Sequence, residues 1–139
     1  MTDPQLDRAG RRRRVSRGDH RGAAGDIELA LAIFRDLGDQ GSEVTALNET
    51  GTLRRLSGAI AQAEAWHRQA LELARAIGTA WDEAHALAGL GRCAAAAGHI
   101  TRAQALLRQA HAIFQRIGVT DAPAVLTELD ALASPEPGQ

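Results

Sequence analysis

Residues 58–78 read GAIAQAEAWHRQALELARAIG and residues 98–118 read GHITRAQALLRQAHAIFQRIG. Placed one under the other, the stretches share a glycine at each end and alanine at Ala63 with Ala103 and Ala70 with Ala110. Ile100, Ala103, Leu107, Ala110, Phe114 and Ile117 step by threes and fours, the spacing that gives an α-helix one apolar face. Ile60, Ala63, His67, Ala70, Ala74 and Ile77 keep the same steps. Residues 18–38, GDHRGAAGDIELALAIFRDLG, supply a third copy through His20, Ala23, Ile27, Ala30, Phe34 and Leu37. The period of 40 residues also aligns Ile33, Leu73 and Ile113, so each copy is one structural unit.

The first helix of each unit precedes the last two copies, which are the second helices, over roughly residues 43–56 and 80–96. Thr79 before Asp82 and Glu83 predicts an N-cap followed by acids at the positive helix end. Gly58, Gly78, Gly98 and Gly118 punctuate the helices. Gly51 and Gly91 lie in mid-helix, where glycine costs about 1 kcal/mol against alanine. Close approach of the paired helix is the expected compensation. Toward the end, Asp121, Pro123, Leu126, Leu129 and Leu132 predict one last helix that caps the stack.

Composition narrows the chemistry. Among 139 residues, 29 are Ala, four are Phe or Trp and none is Tyr, which argues against a large aromatic-lined catalytic pocket. All sixteen basic residues are Arg, so neither a Schiff-base lysine nor a phosphate-loop lysine is available. The net charge of −1 names no nucleic-acid or membrane partner. Cys93 has no disulfide partner, and the longest apolar run, Leu29–Phe34, is too short for a membrane helix or a signal peptide. A cytoplasmic location is expected. The five histidines lack ligand spacing and Cys93 lacks a second cysteine, so no metal or cofactor is expected, and no acid–base pair points to an enzyme.

Leu47, Gly51, Gly58, Ile60, Ala63 and Ala70, repeated as Leu87, Gly91, Gly98, Ile100, Ala103 and Ala110, form a pattern that resembles the tetratricopeptide repeat. The resemblance spans residues 43–118. It departs from the family in its period of 40 rather than 34, in lacking the closing proline, and in carrying Ala or Leu for most aromatics. The Ala-rich, Lys-free variety is similar to the helical arms of actinobacterial nucleotide-binding transcriptional regulators of the antibiotic-regulatory type. The resemblance implies an all-α, right-handed solenoid of helical hairpins over residues 18–132, with about two and a half repeats plus a terminal capping helix. It also implies a non-enzymatic surface for a protein or peptide partner, with a homodimer as a further possibility.

In that family the concave face is lined by first helices. Its groove places fall here on Thr45, Asn48, Glu49, Thr52 and Arg55, then on His85, Ala88, Gly89, Arg92 and Ala96, with Trp81 one turn earlier. The competing reading is a solvated polar face. Trp81 is either a binding aromatic at the groove edge or a residue packed on the preceding helix. The register places Asp7 and Arg11 where Leu47 and Gly51 have counterparts. Residues 1–17 are therefore expected to form a mobile arm, unless the chain begins partway through a longer array. Arg11, Arg12, Arg13, Arg14 and Arg17 give the alternative function, attraction to nucleic-acid phosphates, without aromatics for base stacking. A third alternative is a self-assembling structural repeat. Residues 133–139 are expected to be a disordered tail.

Overall fold

The computed structural model describes residues 17–119 and 122–133. The expected arm with Arg11–Arg14 and the expected tail from Ser134 lie outside them, apart from Arg17, which opens the first helix, and Ala133, which ends the last. Six helices follow in order: α1 Arg17–Leu37, α2 Gln40–Leu56, α3 Ile60–Ile77, α4 Ala80–Ala96, α5 Ile100–Ile117 and α6 Ala122–Ala133. Each packs on the next, and α2 also touches α4, so the pairs α2–α3 and α4–α5 stack as hairpins. The architecture is an all-α helical-hairpin solenoid, as the tetratricopeptide resemblance implies.

The turns repeat every 20 residues. Gly38, Gly58, Gly78, Gly98 and Gly118 all have positive φ, and no other residue type does among the described residues. At Gly78 and Gly118, with φ of 75° and 72°, the left-handed conformation ends α3 and α5 without a Cβ clash.

Helix starts are set by side chains. Asp39 accepts bonds from the Ser42 amide at 3.1 Å and the Ser42 hydroxyl at 2.7 Å, so α2 begins at Gln40, three residues ahead of the expected start. Thr79 caps α4 as the sequence predicts: the Asp82 amide donates to its hydroxyl oxygen at 3.5 Å, and that hydroxyl donates to the Asp82 carboxylate at 2.9 Å. Thr79→Ala is expected to cost about 1 kcal/mol, read as a lowered urea midpoint at unchanged slope.

The interior falls into two clusters. Leu31, Val44, Leu47, Ala70, Ala74 and Ala86 join α1 to α4, and Leu87, Ala88, Leu107, Ala110, Phe114, Val125 and Leu129 join α4 to α6. Two stripes depart from expectation. In α1, Leu37 is 74% exposed and Leu31 is the residue at 2%. Among the described residues α2 is the main neighbour of α1, and Leu29 and Ile33 on its other side are exposed. In α6, Val125 pairs with Leu129 one turn later as the inner face, while Leu126 is exposed.

Candidate functional site

Thr45, Asn48, Glu49 and Thr52 occur at helical spacing on one side of α2. Trp81, Asp82, His85 and Arg92 face them from α4, with Ile27 of α1, Leu53 of α2 and His67 of α3 completing the lining of a groove of about 450 Å³. That volume is within the range of ligand-binding clefts. A second hollow of about 350 Å³ adjoins it, lined by Ala30, Phe34, Gly41, Ser42 and Ala46 together with Ile27, Thr45 and Glu49, which belong to both.

Seven of the eight candidates Thr45, Asn48, Glu49, Thr52, Arg55, Trp81, His85 and Arg92 line this groove. Arg55 does not; it is half-buried, and its Nε has no hydrogen-bond partner. Ala88 and Gly89 are also misplaced by the sequence reading: Ala88 packs with Leu107 and Phe114 in the core, and Gly89 abuts the His67 ring. Arg92 is engaged by Glu128 of α6 through its Nε at 2.9 Å and a terminal nitrogen at 2.7 Å, a two-point pairing that ties the last helix to the groove wall.

The groove floor is organised by His67, which is 1% exposed. Its ring lies between two helices that both carry glycine at the contact. A Cβ on Gly51 would fall 2.6 Å from its Nε2, and one on Gly89 2.5 Å from its Nδ1. The next repeat uses the same device once: a Cβ on Gly91 would lie 2.9 Å from Leu107 Cγ. The mid-helix glycines thus admit the side chain of the paired helix, as expected for Gly51 and Gly91. Gly89 extends the device across repeats, from α3 to α4.

His67 Nδ1 donates to Asn48 Oδ1 at 2.9 Å, and Asn48 Nδ2 reaches the Asp82 carbonyl at 3.4 Å. Asn48 therefore links α3, α2 and α4. With the proton on Nδ1, Nε2 is an acceptor, and it has no hydrogen-bond partner among the described residues. Burial, reinforced by the positive charges of Arg55 and Arg92, pushes the imidazole down to about 4, so it is neutral at physiological pH.

Trp81 remains 45% exposed at the rim. Its ring centroid is 4.6 Å from that of His85 and 6.1 Å from that of Phe114, with His85 and Phe114 5.1 Å apart. The ring contacts of Trp81 are thus with its own helix and with α5, rather than with the preceding helix α3, while the residue also lines the groove. Cys93 is buried, and burial raises its thiol pKa, the state of an inert core side chain. Among the described residues, no group of three His, Cys, Asp or Glu could hold a metal ion, and no helix is long and apolar enough to cross a membrane.

The glycine turns, the nested hairpins and the groove formed by α2 and α4 are those of a repeat array. A family model described as tetratricopeptide repeat matches residues 42–116, more than half of the chain. The chain belongs to the tetratricopeptide repeat family. Such repeats generally mediate protein–protein interaction and are typically non-enzymatic scaffolds. No curated protein matches the chain in sequence. The tetratricopeptide match covers α2 to α5, the helices that supply all the groove residues except Ile27, Ala30 and Phe34.

Proposed function

We propose that this tetratricopeptide chain is a non-catalytic recruitment surface that holds a segment of a partner protein in the groove between α2 and α4. The observation that carries this reading is the groove itself. It combines exposed indole surface at Trp81, apolar side chains at Ile27 and Leu53, and polar groups at Thr45, Asn48, Glu49 and Thr52. Aromatic anchors with satisfied polar neighbours are the composition of binding hot spots. The Ala-rich, Lys-free repeat supports a finer version, in which the chain acts in the cytoplasm as an arm of a signal-responsive transcriptional regulator. The unpaired Cys93 fits a reducing compartment.

Selection from a random peptide display library tests the reading. Groove-dependent binders are expected, losing affinity on Trp81→Ala and on Thr52→Arg, which fills the groove. Binders indifferent to both substitutions would contradict it. The exposed stripe Leu29, Ile33 and Leu37 favours a second reading, self-association through α1. Sedimentation velocity across a concentration range decides it, since a concentration-independent monomer would exclude it. Attraction to nucleic acid through Arg11, Arg12, Arg13, Arg14 and Arg17 has no support from the groove, where Glu49 and Asp82 oppose phosphate.

A further inference from the structure

Resting on that groove reading, we infer that the groove selects a basic peptide segment, placing one cationic side chain at Glu49 with an apolar side chain on either side of it. The two hollows meet at Ile27, Thr45 and Glu49, so an occupant of both must pass over the Glu49 carboxylate. On one side it meets Leu53, Trp81 and His85, and on the other Ala30, Phe34 and Ala46. Each flank thus offers apolar or aromatic surface beside polar groups, Asn48, Thr52 and Asp82 on the first and Ser42 on the second, and Glu49 is the only charged residue the two hollows share.

The charges at the groove are unequal in availability. Arg92 is neutralised by Glu128 through two bonds of 2.9 and 2.7 Å. His67 is uncharged at neutral pH. Arg55 lies outside the lining, and Arg54 is paired with Glu28 at 2.5 Å. Among the described residues the Asp82 carboxylate accepts the Thr79 hydroxyl, a neutral donor. Glu49 is exposed and has neither a hydrogen bond nor an ion pair with any described residue. The balance facing an occupant is acidic, and the complementary group is a guanidinium or ammonium. An acidic peptide, a free carboxylate or a phosphate backbone meets repulsion at the same point.

Fluorescence polarisation with three fluorescein-labelled peptides, identical except for arginine, glutamine or glutamate between two leucines, tests this. The wild-type chain is expected to bind the arginine peptide at least about tenfold more tightly than the glutamate peptide, the scale of a charge-assisted bond. Glu49→Lys, at an exposed position that folding tolerates, is expected to invert the order, and Glu49→Gln to flatten it. Equal binding of all three peptides, blocked by Thr52→Arg, would overturn the charge selection and leave the groove reading standing. No binding of any peptide would overturn both. An unchanged order in Glu49→Lys would overturn the assignment to Glu49, and tighter binding of the glutamate peptide or of a single-stranded RNA oligomer to wild type would overturn the basic class.

Discussion

Gly89→Ala is expected to lower the free energy of unfolding by about 2 to 3 kcal/mol, although alanine is the better helix former by about 1 kcal/mol. The added methyl would sit 2.5 Å from His67 Nδ1 and 2.6 Å from Nε2. The ring has no room to retreat, because Gly51 closes the other side, with a Cβ there 2.6 Å from Nε2 and 2.7 Å from Cδ2. The strain must therefore pass to the backbones of α2 and α4, whose separation sets the groove width. Gly41→Ala is the control: the nearest atom to its Cβ is Asp39 Oδ1 at 3.8 Å, and the change is expected to be neutral or to stabilise by up to about 1 kcal/mol. Urea denaturation reads both. The account also predicts non-additivity, since Gly89→Ala costs less once His67 is Ala. Equal midpoints for Gly89→Ala and wild type would show that the two helices do not close on the imidazole.

Acid is expected to weaken the fold through the same side chain. In the unfolded chain His67 titrates near its ordinary 6.5, and in the folded chain near about 4. Between these values the unfolded state binds a proton that the folded state refuses, so stability is full above 6.5 and falls as the pH drops through the window. Between pH 7 and pH 4.5 the loss from this one group is about 2.5 kcal/mol. Asp39, held below its usual carboxylate value by the bonds from Ser42, keeps its contribution until lower pH and so lies outside this window. His67→Leu places at α3 the residue that α5 carries as Leu107, and it should flatten the profile above pH 4.5. A variant with the same pH slope as wild type would refute the assignment.

Much of the fold was legible because its signals are local. Stripes at three- and four-residue steps define helices, glycines every 20 residues define turns, and Thr79 before Asp82 defines a cap. The faces of α4 were less legible. Ala84, Ala86, Leu87, Ala88, Gly89, Leu90, Gly91, Cys93 and Ala94 are all buried, because α4 touches α2, α3 and α5 at once. A helix of small apolar residues on nearly every side carries no phase, so Ala88 and Gly89 could not be distinguished from groove positions by periodicity.

The role of His67 was hidden for a related reason. Its stripe position reads as core, and only its juxtaposition with Gly51 and Gly89 shows that a polar ring occupies the space two missing side chains leave. The available signal was a polar ring aligned with Ile27 and Leu107, in the one repeat flanked by mid-helix glycines on both sides. The sequence places Asn48 at the groove, and only the structure shows its amide committed to His67 and the Asp82 carbonyl.

Amide and indole NMR shifts of the labelled chain, followed while a display-selected peptide is added, test the central claim most directly. The largest changes are predicted at Thr45, Asn48, Glu49 and Thr52 of α2 and at Trp81 and His85 of α4, including the Trp81 indole N–H. Changes confined to Glu72, Arg108 and His111 on the second helices, with the groove residues unmoved, would contradict it.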